Sequence, residues 1–230
     1  MWLNYSLLIL GALFALSAGC DSAVNGDVTA TREGGSTVNG SVRVPAGQAT
    51  GDLNSVNGSI AIGEGATAGA AHAVNGAIEV GAHSTVESVV TVNGSITLGD
   101  SARVKGDAKT VNGEIELKNL AEVSGAVTSV DGSISLTDAR VGGGLRTVVG
   151  SIDVMGASQV DGGILVEKNG GASFSATSSA KPRVVIGPGA VVQGTLRFER
   201  EVRLYVSDKA TVGPIEGATP MLFRGDKPPT

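Results

Sequence analysis

Apolar and polar residues alternate along this chain over very short stretches, which is the periodicity of β-strands. In residues 96 to 104, Ile96 and Leu98 flank Thr97, and Ala102 and Val104 flank Arg103. The segments between such pairs contain glycine, which accommodates tight corners. The pattern predicts short strands separated by corners, with Leu98 facing a core and Thr97 facing water.

A longer repeat, with steps of 18 or 19 residues from Val38 onward, is superimposed on this alternation. Its marker is the tripeptide Val-Asn-Gly, which becomes VDG and then VVG in the last two copies. The copies begin at Val24, Val38, Val56, Val74, Val92, Val111, Val130 and Val148. Within each step, an apolar residue recurs at every sixth position from Val56 to Val104. A fixed repeat of this size indicates a solenoid, in which each turn stacks on the one before.

Three strands and three corners per repeat predict an all-β fold, a single-stranded parallel β-helix with a triangular cross-section. The core would contain Val, Ile, Leu and Ala, in keeping with an aromatic content of only 3%. From Val38 to Val212 the spacing gives roughly nine to ten turns, and a rod on the order of 45 Å long.

The predicted organisation has four parts. They are a signal peptide (1–20), a linker with a poorly formed first turn (21–37), a β-solenoid (38–216) with a loop insertion (171–182), and a C-terminal tail (217–230).

The first part ends in Leu-Ser-Ala-Gly before Cys20, after an almost wholly apolar run. This resembles a bacterial lipobox, which implies cleavage before Cys20, lipidation of its thiol and anchoring in a membrane. No Lys or Arg precedes the run, unlike most export signals, and an uncleaved helix of about 18 residues is the alternative. Both alternatives predict an exported, membrane-anchored protein of the bacterial cell envelope, and they leave inner or outer membrane open.

Residues 62–69, 98–108 and 186–196 share a pattern: aliphatic, Gly, two free positions, Ala, one free position, aliphatic. The pattern resembles the bactofilins, which are polymer-forming β-helical cytoskeletal proteins. It is also similar to the left-handed hexapeptide-repeat acyltransferases, and the VNGSI phrases resemble adhesin-like β-repeat proteins. The hexapeptide enzymes require a small residue at the fifth position of each six-residue unit, and this chain often has isoleucine there. That departure favours a right-handed, bactofilin-like helix, although bactofilins are typically cytoplasmic.

Catalysis is not expected. An acyltransferase needs a histidine base in a groove, and His72 and His83 fall in different repeat units. CxxC, HExxH and EF-hand patterns do not occur in the sequence, so we expect no metal and no cofactor. A net charge of −5 with interspersed signs argues against nucleic acid as a partner.

Two columns of polar residues are candidate sites. Stacked asparagines predict a structural ladder at Asn39, Asn57, Asn75, Asn93 and Asn112. The residue before each repeat valine predicts a possible binding face at Thr37, Ser55, Thr91, Thr110, Ser129 and Thr147. Such columns resemble the ice-contacting faces of some antifreeze proteins. The alternative is that small hydroxyl residues suit an exposed strand position.

Two functions follow as expectations. The chain is either a structural envelope lipoprotein that self-associates end to end, or a monomeric adhesin-like module that presents one face to a partner. The ends of the rod distinguish the two, because a terminal turn leaves backbone groups unpaired. At the C-terminal end, Met221, Leu222 and Phe223 either cap the last turn or dock onto a second rod. We expect Phe223 to contribute to self-association.

Overall fold

The computed structural model describes residues 21–168, 181–226 and 228, and this part of the chain contains β-strands but no helix. The strands are β1 (Asp21–Asn25), β2 (Val28–Thr29), β3 (Gly34–Asn39), β4 (Val42–Val44), β5 (Asp52–Asn57), β6 (Ile60–Ile62), β7 (Thr67–Asn75), β8 (Ile78–Val80), β9 (Thr85–Thr91), β10 (Ile96–Leu98), β11 (Arg103–Val104), β12 (Ala108–Asn112), β13 (Ile115–Leu117), β14 (Glu122–Val123), β15 (Val127–Asp131), β16 (Ile134–Thr137), β17 (Arg140–Val141), β18 (Leu145–Thr147), β19 (Ile152–Met155), β20 (Gln159–Val160), β21 (Ile164–Val166), β22 (Arg183–Ile186), β23 (Val191–Val192), β24 (Leu196–Phe198), β25 (Arg203–Ser207), β26 (Thr211–Val212), β27 (Ile215–Glu216) and β28 (Met221–Phe223).

These strands stack in parallel on three faces. Face 1 is an 11-stranded sheet of β2, β4, β6, β8, β10, β13, β16, β19, β22, β25 and β28. Face 2 continues through β11, β14, β17, β20, β23 and β26, and face 3 consists mainly of β1, β3, β5, β12, β15, β18, β21, β24 and β27. The longer strands β7 and β9 run across faces 2 and 3. Eleven strands on face 1 correspond to about 11 turns and a rod about 50 Å long at the usual strand spacing.

Each strand pairs with its equivalents one turn before and one turn after. Ile96, for example, is in register with Ile78 on one side and with Ile115 on the other. These offsets equal the sequence repeat, and the predicted all-β, parallel, three-sided solenoid is confirmed. The right-handed winding stays a prediction.

The core receives two side chains from each face per turn, and one outward-facing residue lies between them. In one turn, these are the pairs Ile96 and Leu98, and Ala102 and Val104, all fully buried, with Ala108 beginning the third. Thr97 lies on the outer surface of face 1 and is half-buried. The predicted inward position of Leu98 and outward position of Thr97 are therefore confirmed.

The six-residue recurrence of apolar residues does not mark core positions at one corner. It includes the valines of the Val-Asn-Gly tripeptides, but Val56, Val74 and Val92 lie half-buried on the outside of face 3. The residue before each valine points inward instead. The reason is that successive side chains of a strand point to opposite faces. Val89 is buried, so the side chain two positions later, Thr91, points inward as well.

The rod begins earlier than the sequence predicted. Residues 21–37 are not a linker, because β1 pairs with β3 and β2 pairs with β4. The first turn is short rather than poorly formed: Asn25 is in register with Asn39, and a tight bridge between Thr31 and Gly34 replaces a face 2 strand. Within the described residues, strand pairing therefore starts at Asp21.

The rod also ends later than predicted. The segment expected to be a tail contains β28, which pairs with β25 through Tyr205 and Met221. The predicted loop insertion at 171–182 lies outside the described residues except for Lys181 and Pro182. The strand pairing of face 1 continues across this segment, since Ile152 of β19 is in register with Val184 of β22.

Candidate functional site

The column predicted as a binding face lies inside the rod. The side chains of Thr37, Ser55, Thr91, Thr110, Ser129 and Thr147 are all buried, with exposed fractions between 0% and 3%. They cannot contact a partner, and the interpretation of this column as a binding face, ice-contacting or otherwise, is wrong. The signal that predicts the correct orientation is the buried apolar residue two positions earlier, such as Ala108 before Thr110.

These hydroxyls instead satisfy the backbone of the Val-Asn-Gly corners. Thr91 Oγ1 donates to the carbonyl oxygen of Gly76 at 2.9 Å, and Thr110 Oγ1 donates to that of Gly94 at 3.0 Å. The same bond joins Thr37 to Gly26, Ser55 to Gly40, and Ser129 to Gly113. A buried carbonyl group without a partner would be costly, so the hydroxyl column is structural.

The glycines of these corners stack directly on one another. A Cβ atom added to Gly94 would overlap the carbonyl oxygen of Gly76, and one added to Gly113 would overlap that of Gly94. Backbone cannot give way as a flexible side chain can. Only glycine therefore fits this column, which explains the last letter of the repeat.

The predicted asparagine ladder is confirmed on the outer edge of the same corner. Asn57 Nδ2 donates to Asn39 Oδ1 at 2.9 Å, and the same bond links Asn75 to Asn57 and Asn93 to Asn75. Asn112 Nδ2 donates to Asn93 Oδ1 at 2.8 Å. The sequence prediction missed one member, Asn25, which accepts from Asn39 at 2.9 Å. Its Val-Asn-Gly tripeptide is visible in the sequence but precedes a shorter step.

Asp131 ends this ladder. It is in register with Asn112, but a carboxylate has no N–H to donate to the Asn112 side-chain oxygen. One turn further on, the equivalent position is Val149. The ladder therefore covers the first turns of the rod only.

Other aspartates at the corners bind backbone N–H groups of the next turn. Asp27, Asp52, Asp107 and Asp138 each accept such a bond through Oδ1, at distances between 2.7 and 2.9 Å. Lys109 also contacts Asp107, and these hydrogen bonds hold the pKa of the Asp107 carboxyl below its usual value despite partial burial. These carboxylates are therefore part of the scaffold.

The acidic positions of face 1 do not form an array. Glu79, Glu116 and Asp153 lie on one outer column, with Thr97 and Ser135 between them. Burial raises the pKa of Asp153, which Arg183 partly offsets. Among the residues that the structure describes, no group of three His, Cys, Asp or Glu side chains is placed to hold a metal ion.

The two histidines lie in different parts of the rod. His72 is half-buried on the outside of face 3, and His83 is exposed at a corner. Burial lowers the pKa of His72, and the nearby carboxylate of Asp52 partly opposes this shift. The structure does not bring the two imidazoles together.

Phe223 is not available to a second rod. Its side chain is 5% exposed and packs with Val185 and Tyr205 in a small apolar cluster on the outside of face 1. The Arg183 guanidinium lies 5.8 Å from the centre of the Tyr205 ring and borders this cluster. The predicted role of Phe223 in self-association is therefore wrong, because this residue stabilises its own chain.

The neighbouring Leu222 is the residue that the prediction missed. It is in register with Val206, a core residue that is 4% exposed, yet Leu222 itself is 73% exposed. No described strand follows β28, so nothing in this part of the chain covers Leu222. Nearby Val212 and Ile215 are likewise only partly buried at the end of the core. Within the described residues, the last turn therefore exposes an incomplete core layer, and no strand pairs with the outer edge of β28.

Cys20, the predicted lipidation site, lies outside the described residues. Nothing in residues 21–168, 181–226 and 228 forms a helix long and apolar enough to cross a bilayer. The structure defines the class of this protein, a single-stranded parallel β-solenoid. No protein-family model, curated protein or solved structure matches the chain.

Proposed function

We propose that this chain is a non-catalytic structural rod of the bacterial cell envelope, anchored through a lipid on Cys20, which self-associates through its C-terminal end. The observation that carries the proposal is the open end at Leu222. An edge with unpaired backbone groups and a partly exposed core pairs best with a surface that offers the same features. The end of a second copy offers them, in agreement with the resemblance to polymer-forming bactofilins.

The two ends of the rod differ in a way that favours the C-terminal one. At the N-terminal end the core contains small residues, and Val28 and Ala30 are 7% and 3% exposed. Asp21, the first residue of β1, directly follows Cys20 in the sequence. A lipid on Cys20 therefore places the N-terminal turn at the membrane surface without a linker. The C-terminal ends of two rods remain free to meet in a symmetric contact.

The test compares two leucines of equal exposure. Leu120, on the side of the rod, and Leu222, at its end, are both 73% exposed. The full chain is purified in mild detergent, and its mass is measured by light scattering and sedimentation across protein concentrations. We expect Leu222→Asp to shift the chain to monomers and Leu120→Asp to leave the association unchanged. Asp138 occupies the same left-handed corner conformation as Leu120, so this corner accepts aspartate.

A parent chain that stays monomeric at all concentrations would remove the self-association proposal. The second candidate, a monomeric adhesin-like surface module, would then take its place. The observation that favours this candidate is the column of repeat valines on the outside of face 3, in which Val24 and Val130 are 68% and 39% exposed. This column gives the rod an apolar stripe from Val24 to Val148, beyond which the equivalent positions are Glu167 and Glu199.

The anchor is tested separately. We expect Cys20→Ala to release the chain from membranes or to leave an unprocessed precursor, because the sequence contains only one cysteine. Detergent phase partitioning and gel mobility of the variant and the parent measure the difference. Identical behaviour of the two proteins would reject lipidation at Cys20.

A further inference from the structure

Each asparagine of the ladder precedes a glycine, and Asn-Gly pairs are prone to spontaneous deamidation. In an Asn-Gly pair, the glycine nitrogen loses its proton to water and attacks the side-chain carbonyl carbon Cγ. A bond forms between this nitrogen and Cγ, the bond from Cγ to Nδ2 breaks, and ammonia leaves. Water then opens the cyclic imide to aspartate or isoaspartate. Glycine permits the attack because it has no side chain to obstruct it.

In the folded rod this reaction requires the asparagine side chain to leave the ladder. An internal member such as Asn75 donates through Nδ2 to Asn57 and accepts through Oδ1 from Asn93. Both bonds must break before Cγ can approach the glycine nitrogen. Asn39, Asn57 and Asn93 have the same two bonds.

The two ends of the ladder each have only one of these bonds. Asn25 accepts from Asn39. Asn112 Nδ2 donates to Asn93, but the neighbour of Asn112 on the other side is Asp131, which has no N–H to offer. The backbone does not distinguish Asn112 from Asn39 and Asn93, because Gly40 N, Gly94 N and Gly113 N each donate to a carbonyl oxygen of the next turn at 3.1 Å. The difference between Asn112 and these two internal members therefore lies in the side chains alone.

We propose that the ladder protects its internal asparagines from spontaneous deamidation, that its end members Asn25 and Asn112 react before them, and that Asn112 is the modification site from which deamidation spreads along the folded rod. A hydrogen bond contributes about 1 kcal/mol, so one bond fewer corresponds to a rate about fivefold faster. This inference is independent of the proposed function.

The direction of the hydrogen bonds makes the damage progressive. Aspartate at position 112 has no Nδ2, so Asn93 Oδ1 loses its donor and Asn93 becomes the new end of the ladder. Asn75 follows in the same way after Asn93. In the opposite direction the reaction does not spread, because a carboxylate still accepts a bond from the next amide. Deamidation therefore advances turn by turn towards the N-terminus.

The experiment incubates the full chain at mildly alkaline pH and measures each Asn-Gly pair by peptide mapping and mass spectrometry over time. In the folded protein we expect Asn112 to react about fivefold faster than Asn39, Asn57 and Asn75, and before Asn93. In urea the ladder is lost, and all these pairs should react at the same rate. Equal rates at Asn112 and the internal positions in the folded protein, or no reaction at Asn112, would overturn the proposal.

Two variants of Asp131 distinguish the effect of the missing hydrogen-bond donor from the effect of the negative charge on the reaction of Asn112. Asp131→Asn supplies a donor to Asn112 Oδ1, so Asn112 should slow about fivefold and the labile position should move to 131. Asp131→Ala removes the charge but supplies no donor, so Asn112 should stay labile. Circular dichroism confirms that both variants remain folded. An unchanged rate at Asn112 in Asp131→Asn would reject the ladder as the protecting element.

Discussion

The first turns of the rod and the later turns are linked to their neighbours by different kinds of surface side chains. Up to Asn112, one corner is held by identical neutral amides, whereas ion pairs between turns are concentrated from Glu87 onward. An amide both donates and accepts, so asparagine can stack on itself without limit. A charged side chain cannot stack on its own copy, because like charges repel. On face 2, the residues in register in three successive turns therefore alternate in sign, as Arg103, Glu122 and Arg140.

This comparison shows what a solenoid repeat requires of its surface. Equivalent residues lie about 4.8 Å apart, so a repeated charge would repel its own copy in the next turn. Only self-complementary residues can be repeated in every turn, and charged positions must vary. The Asn-Gly corner is therefore the most regular part of the sequence, and the outward face 2 positions are among the least regular.

The largest effect is expected from substitutions in the apolar core, which both regions share. Leu98, in the laddered turns, and Leu136, beyond them, are fully buried in equivalent positions of face 1. Either residue changed to aspartate should cost several kcal/mol, since it places an unpaired charge in a narrow core. Thr97→Asp, on the outer surface, should change stability by less than about 0.5 kcal/mol. Urea denaturation measures all three, and equal losses from Leu98→Asp and Thr97→Asp would contradict the inward and outward assignment.

A smaller effect is confined to the hydroxyl column. Thr110→Val keeps the side-chain shape but removes the bond to the Gly94 carbonyl oxygen. We expect a loss of about 1 kcal/mol in the free energy of unfolding. Thr128→Val, at a half-buried outer position, is the matched control and should be close to neutral. If both variants are equally stable, the buried hydroxyls contribute nothing beyond their volume.

The asparagine ladder can be extended by one hydrogen bond beyond Asn112. Asp131→Asn adds a donor opposite Asn112 and should stabilise the rod by about 0.5 to 1 kcal/mol. Asp131→Ala removes the charge without adding the bond and should gain less. A melting temperature that is the same for the two variants would mean that an added ladder bond is not stabilising.

The smallest effect is expected from an exposed ion pair. Arg103 and Glu122 are joined at 3.6 Å, with side chains 68% and 42% exposed. Arg103→Gln should cost no more than about 0.5 kcal/mol, and the loss should disappear at high salt, since exposed pairs are weak and screened. Thermal unfolding in low and high salt measures this, and a loss above that of Thr110→Val would reverse the ranking of the two strategies.

The sequence predicted the fold well because the repeat is also the spatial period of the rod. Residues such as Leu98 and Asn57 follow from that period alone. The Val-Asn-Gly corner was misassigned because a six-residue count ignores the bend at glycine, whereas the parity of Ala108 and Thr110 predicts the inward hydroxyl. The exposure of Leu222 depends on which residues follow β28 in space, and no local pattern in the sequence contains that information.

The position of β1 directly after Cys20 in the sequence would make a lipid-anchored rod a spacer. Asp21 already belongs to the first turn, so a lipid on Cys20 would hold the rod rigidly at its base rather than on a flexible tether. Standing upright, such a rod would carry Leu222 about 50 Å from the bilayer surface at the usual strand spacing. Two rods joined at their C-terminal ends would then hold two facing membranes at twice that separation, or lie flat along one membrane. The number of repeats would set the width of the gap.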